Sequence, residues 1–214
     1  MRRLIHLTLS PPSRVARLIL GEKRLTFDPV GAEDSQAHLP IFVELDGARS
    51  EGLWAVIDHL EGTYADHPLV PEDAIQRGEV LRWLDWTMGQ MNERTTRKIL
   101  YEKAAPRYTG APSSGAPDMN NVRQGREALR AALPIIGKAA EQNGNLVLRD
   151  CTLADLAVAA HLSALDYFGE VPWSEFPQAA EWYVRMKSRP SFRSLLADRL
   201  PGQPPVMHYA ELDF

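Results

Sequence analysis

The chain has 214 residues, of which 44% are hydrophobic and 24% are charged, and its formal net charge is -4. This composition is that of a soluble globular protein, and it excludes a protein that attracts nucleic acid through its overall charge. The N-terminus lacks a signal-peptide core, and the longest apolar run is well below the roughly 20 residues that span a bilayer. We therefore expect a cytoplasmic protein with neither nucleic acid nor membrane as a partner.

Cysteine and histidine usage excludes the common metal sites. The one cysteine, Cys151, can form neither an internal disulfide nor a cysteine-rich metal site. The six histidines show no metal-ligand spacing. We expect no metal, and we interpret Cys151 as a packed small side chain.

The first 66 residues alternate between strand and helix signals. Residues 3–9 and 40–45 predict short strands, and residues 14–22 between them have apolar side chains at helical spacing. Asp46-Gly47 predicts a tight turn, and the segment after it has the apolar spacing of a second helix. This order predicts a small α/β domain at residues 1–66.

From residue 67 onward, strand signals nearly vanish. Residues 67–73 have the prolines and acidic residues of a linker, and residues 74–200 predict an all-helical domain. One long helix is expected from about residue 71 to 104, and another from 119 to 142 that Pro134 should kink or break. The last segment, residues 201–214, has three prolines and no helical period, which predicts an extended tail.

Thr152 and Asp155 mark the start of one helix with particular clarity. They have the spacing of a capping box, in which a hydroxyl and a carboxylate satisfy the free amides of the first turn, and an apolar run follows them. We assign both residues a structural role.

The segment Ser10-Pro11-Pro12-Ser13 has the form of a Cys-Pro-x-Cys redox turn with hydroxyls in place of both sulfurs. Prolines are tolerated in a first helical turn and serine is a good helix cap, so a plain helix start explains the segment. A remnant of a former site and a working hydrogen-bond donor at Ser10 are the two alternatives. The residues of the turn do not decide among the three.

A small strand-helix-strand unit, a proline before its next strand, and a helical domain with a buried Thr-x-x-Asp box together resemble the cytosolic glutathione transferase fold. The resemblance covers almost the whole chain, and its most specific element is the run that begins at Thr152. It implies an α/β, thioredoxin-like N-terminal domain and an all-α C-terminal domain. The segment before Pro40 is shorter than in the family, so we expect a shortened first domain.

The resemblance also implies where glutathione would bind. Ser10 matches the position of the thiolate-stabilising donor, and Leu39-Pro40 resembles the cis-proline dipeptide that pairs with the glutathione backbone. The family's Glu-Ser pair falls on Gly52 and Leu53, although Ser50 and Glu51 could substitute if the register slips. Losing two polar contacts, at about 1.5 to 3 kcal/mol each, weakens binding by two or more orders of magnitude. Glutathione is therefore possible but disfavoured, and Ser10 is interpreted as vestigial.

The C-terminal third is similar to a narrower group, the FzlA-type proteins of alphaproteobacteria, which are glutathione-transferase-like and bind FtsZ. The resemblance is carried by "DYFGEVPW", "SRPSFRSLLADR" and the terminal "HYAELDF". It implies a homodimer without catalytic activity that binds FtsZ filaments at the division site and promotes constriction. The tail residues expected to meet the partner, unless the tail docks on its own helical domain, are Tyr209, Glu211, Leu212, Asp213 and Phe214.

Two other functions compete with this prediction. One is an enzyme that conjugates glutathione or reduces thiols, with Ser10 donating a hydrogen bond to the thiolate. The other is a structural homodimer without either activity. The sequence alone leaves the cell-division role dependent on resemblance.

Overall fold

A four-stranded mixed sheet forms the centre of the N-terminal domain. The computed structural model describes residues 1–32, 38–112 and 116–211. The central strand β1 is parallel to β2 and antiparallel to β3, and β3 is antiparallel to β4, which gives the order β2-β1-β3-β4. The elements of this domain are β1 (Arg2–His6), α1 (Pro11–Glu22), β2 (Phe27–Gly31), β3 (Ile41–Val43), β4 (Arg49–Glu51) and α2 (Leu53–Thr63).

The two edge strands, β2 and β4, are absent from the sequence prediction. β2 contains Pro29, which cannot donate a ladder hydrogen bond and is tolerated because the strand lies at the sheet edge. β4 is only three residues long and mostly exposed, so it lacks the apolar alternation that identifies a strand. The described residues contain no helix between β2 and β3, which agrees with a shortened first domain.

The second domain is helical. Its α-helices are α3 (Ala74–Asp85), α4 (Arg97–Lys103), α5 (Pro106–Thr109), α6 (Met119–Asn143), α7 (Leu153–Asp166), α8 (Pro177–Lys187) and α9 (Arg193–Leu196). A π-helical segment (Trp86–Thr96) joins α3 to α4, and 3₁₀ turns lie at Trp173–Glu175, Pro190–Phe192 and Met207–Ala210. This is the two-domain architecture that the family resemblance implies.

Two features of the predicted helices differ in the structure. The helix expected at 71–104 is one continuous rod over residues 74–103, but its middle third is π-helical. Pro134 does not break α6, which continues for nine residues beyond it. Pro134 lies on the exposed side of α6, where water can satisfy the carbonyl that loses its partner.

α7 is the centre of the helical domain, since every one of its residues is buried. The predicted capping box is present: the main-chain amide and the hydroxyl of Thr152 both donate to Asp155 Oδ2, each at 2.9 Å. Asp155 Oδ1 accepts from the amide of Leu146 at 2.9 Å and from the indole of Trp182 at 3.2 Å. Burial raises the pKa of Asp155, and these four hydrogen bonds to its carboxylate oppose that shift.

The two domains meet along α1, which packs on α7 and on the 3₁₀ turn 190–192. Gly21 of α1 permits the approach, because a β-carbon there would lie 2.8 Å from the Cα of Ser191. Glu22, at the end of α1, accepts two hydrogen bonds from Arg189 and one from Ser191. The first domain is thus seated directly on the core of the second.

The tail is not extended throughout as the sequence predicts. Residues 207–210 form a 3₁₀ turn, and Tyr209 within it is fully buried. Leu200 and Gln203 form an isolated bridge, and the amide of Val206 donates to the carbonyl of Tyr167 at 3.1 Å. The described part of the tail therefore docks on the body of the protein.

Candidate functional site

The turn between β1 and α1 contains the segment Ser10-Pro11-Pro12-Ser13. Ser10 is the N-cap of α1 and has an extended backbone, while the two prolines occupy the first helical positions. The carbonyl of Ser10 accepts from the amide of Arg14 at 3.0 Å, and Ser13 Oγ accepts from the amide of Leu7 at 3.2 Å. The segment starts a helix, as one of the three interpretations expected.

The Ser10 hydroxyl does not cap the helix. A cap side chain accepts from the second or third helical amide, and Pro12 at the second position has none. Ser10 is 8% exposed. The helix start accordingly depends on the prolines and on Ser13, and leaves the Ser10 hydroxyl free of a capping role.

The Leu39-Pro40 peptide bond is cis, as the resemblance implies. The carbonyl of Pro40 accepts from the amide of Gly52 at 2.9 Å, which places the start of α2 beside the cis-proline. The cis-proline and the start of α2 therefore lie side by side in the structure.

The side chains expected at the start of α2 are different. Gly52 is the N-cap with φ +84°, and Leu53 is the buried first residue of α2. Ser50 and Glu51 belong to β4, where Ser50 pairs with Phe42 and Glu51 makes an exposed ion pair with Arg49 at 3.2 Å. The structure thus brings Ser50 and Glu51 near α2 but not into its first turn.

Two buried arginines of α1 organise the region one and two turns after Ser10. Arg14 is fully buried, and its Nη2 donates to Asp198 Oδ2 at 2.9 Å. Arg17 donates hydrogen bonds to both oxygens of the same carboxylate at 2.9 Å and to the carbonyl of Ser194 at 2.6 Å. One carboxylate of the helical domain thereby holds two guanidinium groups of the first domain.

The remaining donors of Arg14 reach three other parts of the chain. Its Nε donates to the carbonyl of Thr8 at 3.0 Å, and its Nη1 donates to Ser163 Oγ at 2.8 Å and to the hydroxyl of Tyr209 at 2.9 Å. The turn, the central helix α7 and the C-terminal tail therefore meet at one guanidinium group.

His6, at the end of β1, lies in the field of this network. Burial lowers its pKa to about 4, and the positive charge of Arg17 contributes to the shift. His6 is therefore neutral at physiological pH. A charged His6 would add a third cation to a cluster that has Asp198 as its carboxylate.

The turn that contains Ser10 packs against the helical domain. The amide of Leu9 donates to the carbonyl of Tyr108 in α5 at 2.9 Å, which joins the turn to the helical domain through the main chain. Leu9 is fully buried in a second apolar cluster with Leu100, Tyr167 and Tyr209. In this conformation α5 and the tail pack against the residue that precedes Ser10.

The tail residues expected to contact a partner have different surroundings in the structure. Tyr209 is an internal anchor, because its hydroxyl donates to the carbonyl of Leu195 at 2.9 Å and accepts from Arg14. In this conformation Tyr209 is buried and offers no surface to a partner. Glu211 is exposed, whereas Leu212, Asp213 and Phe214 lie outside the described residues.

Sequence reasoning missed the residues that organise this region, namely Arg14, Arg17 and Asp198. Their charges resemble those of ordinary surface residues, and some 180 positions separate each arginine from Asp198. The one available signal was that Arg14 and Arg17 lie on the face of α1 that also has apolar side chains. In the described ranges, no group of three or more metal-ligating side chains converges, and no helix is long and apolar enough to span a membrane.

Comparisons with known proteins show likeness over the full chain. The curated FtsZ-localized protein A of Caulobacter vibrioides is 40% identical over 227 residues, which cover 100% of this chain and 98% of that protein. A scan against protein-family models finds no match.

Solved structures give the same result. A glutathione S-transferase from Rhodospirillum rubrum is 37% identical with a TM-score of 0.93, over 100% of both chains. FzlA from C. crescentus is 39% identical with a TM-score of 0.92, over 100% of this chain and 99% of that one. The fold is that of the glutathione transferases.

Replacing Asp198 with asparagine tests whether this carboxylate holds the domains together. Asp198→Asn leaves Arg14 and Arg17 buried without a counter-charge, so we expect the free energy of unfolding to fall by about 3 to 5 kcal/mol. Chemical denaturation followed by circular dichroism measures the change. The matched control is Glu175→Gln, which breaks the exposed pair with Arg130 and should alter stability little. Equal effects of the two substitutions would contradict a central role for Asp198.

Proposed function

The chain belongs to the family of FtsZ-localized protein A, and on that premise we propose that it binds FtsZ filaments and regulates cell division without catalysing a reaction. The observation that carries the proposal is the 40% identity to FtsZ-localized protein A, which extends over all of this chain. A role on filaments at the division site also places the protein in the cytoplasm, in agreement with its composition.

The burial of Ser10 supports a binding role over a catalytic one. A thiol substrate needs space at Ser10, but Leu9 is fixed to Tyr108 by a main-chain hydrogen bond and Tyr209 is packed in the same cluster. Gly52 and Leu53 supply neither a carboxylate nor a hydroxyl at the start of α2. The scaffold keeps the backbone of a glutathione site while its ligand side chains are replaced.

The last four residues are the proposed contact with the filament. Tyr209 fixes its 3₁₀ turn to the body, and Glu211, which follows this turn, is exposed. Beyond it, Leu212 and Phe214 supply apolar anchors and Asp213 a negative charge, a pattern suited to a protein partner that has an apolar pocket with basic residues at its rim.

Co-sedimentation with polymerised FtsZ from the same organism tests the proposal. We expect the intact protein to pellet with filaments and to remain in the supernatant without them. Alanine at positions 211–214 removes two apolar anchors and two charges, which should weaken binding about tenfold or more. Glu141→Ala, which removes an exposed charge from α6, is the control and should pellet normally. No pelleting of the intact protein would overturn filament binding, whereas normal pelleting of the alanine variant would overturn only the role of the terminus.

The second candidate function is a glutathione transferase, favoured by the R. rubrum structure of that name and by the cis-proline at position 40. Thermal unfolding with millimolar glutathione separates the candidates. A ligand at a hundred times its Kd adds about 2.7 kcal/mol of stability, so a working site gives a clear rise in Tm. We expect no rise. A rise that Ser10→Ala abolishes together with transferase activity would favour the enzyme.

We also propose that the protein is a homodimer through an apolar face formed by α2, α3, the π-helical segment and α6. Trp54, Leu81 and Ile135 are each half-exposed or more on this face. A groove of about 170 Å³ between the π-helical segment and α6 is lined mainly by apolar side chains, with Gln90, Arg94 and Thr95 as its polar members. Asp58, one turn after Trp54, is exposed and opposite in charge to Arg94, so two copies can pair reciprocally about a two-fold axis.

Charge introduced into this face should dissociate the dimer. Trp54→Glu and Ile135→Glu each place a carboxylate in the proposed contact, so sedimentation velocity should show the mass of one chain instead of two. Met119→Glu is the control, because Met119 is also exposed but lies about 24 Å from Ile135 along α6. A single-chain mass for the unaltered protein, or a dimer that survives both substitutions, would contradict the proposal.

A further inference from the structure

The C-terminal residues 200–210 cross from the end of the helical domain to the start of α1. The segment begins where the amide of Leu200 donates to the hydroxyl of Tyr167 at 2.9 Å, and that hydroxyl donates to the carbonyl of Gln203 at 2.8 Å. The segment ends where Tyr209 reaches Arg14 and the carbonyl of Leu195. It is therefore fixed at both ends.

Between these ends, the segment contacts the end of α4 and the start of α5. Gln203 Oε1 accepts from the amide of Ala105 at 2.9 Å, and its Nε2 donates to the carbonyl of Lys103 at 2.8 Å. The carbonyl of Pro201 accepts from the hydroxyl of Tyr108 at 3.3 Å. One side chain, Gln203, thus satisfies two main-chain groups where α4 ends and α5 begins.

The braced part of the chain contacts the turn that contains Ser10, which is 8% exposed. The carbonyl of Tyr108 accepts the main-chain hydrogen bond of Leu9, the residue before Ser10. A β-carbon on Gly110, which has φ +74°, would lie 3.1 Å from the Leu7 side chain, so this loop also lies close to the other end of the turn. A continuous series of contacts therefore links the tail to α5 and α5 to the β1–α1 turn.

We propose that residues 200–210 are a strap that holds α5 against the β1–α1 turn and keeps Ser10 buried, and that detaching Tyr209 or Gln203 from the body exposes Ser10. Tyr209 anchors the strap to the body, and Gln203 connects the strap to the start of α5. In this arrangement both residues act on Ser10 by position and neither contacts it. The inference is independent of filament binding, which concerns the residues beyond the strap.

Thiol labelling at position 10 tests the strap. Ser10→Cys is combined with Cys151→Ser, so that the introduced thiol is the only one, and its reaction with a chromogenic disulfide reagent is timed. We expect slow labelling, because position 10 is buried and must become exposed before the reagent can reach it. Adding Tyr209→Ala should accelerate labelling about tenfold or more, since the rate follows the open population.

Two further variants keep the result interpretable. Met207→Ala is the matched control, since Met207 lies in the same 3₁₀ turn, is 91% exposed and should leave the rate unchanged. Gln203→Ala retains the Tyr209 anchor and should also accelerate labelling. If circular dichroism shows that Tyr209→Ala does not fold, the labelling rate of Gln203→Ala tests the strap in its place. Labelling that is already fast in the parent, or equal in the parent and the folded strap variants, would overturn the proposal.

Discussion

The carboxylate of Asp198 holds two buried guanidinium groups, and the joining of the two domains depends on it. Burying charged groups costs desolvation free energy, and a buried ion pair offsets this cost only if its hydrogen bonds are complete. Here they are: Arg17 contacts both carboxylate oxygens, and every nitrogen of Arg14 donates to an oxygen of the protein. Such a junction tolerates few alternative geometries, so it fixes α1 relative to the helical domain.

This constraint determines what the start of α1 can do. Arg14 lies one turn after Ser10, so the partners that satisfy Arg14 must also pack around the β1–α1 turn. Ser163 comes from α7 and Tyr209 comes from the tail, so the network brings the central helix and the tail to this turn. In this packing Ser10 is 8% exposed.

Local signals were sufficient to predict much of the fold. The Thr152–Asp155 box and the cis bond at Pro40 were predicted correctly because each depends on neighbours in sequence or on a family motif. β2 and β4 were missed because edge strands need little apolar character. The π-helical segment and the unbroken helix at Pro134 depend on tertiary packing and solvent exposure, which the pattern of one segment does not reveal.

The backbone geometry of the candidate site could be predicted from the sequence, but its buried network of charged side chains could not. Ser10 and Leu39-Pro40 could be placed from a motif, because turns and a cis-proline are local. The contacts of Arg14 with Asp198 and Tyr209 join positions 184 and 195 residues apart, and no periodicity links them. The alternating aromatic and acidic residues of the tail are compatible with docking on the helical domain and with contact to a partner protein. Only the structure could show that Tyr209 docks on the helical domain.

A segment whose tyrosine is buried against Arg14 is part of the domain junction. The 3₁₀ turn 207–210 supplies Tyr209 to the buried network, and the exposed Glu211 follows it directly. The arginine network that joins the two domains therefore also holds the turn that precedes the proposed contact residues 211–214.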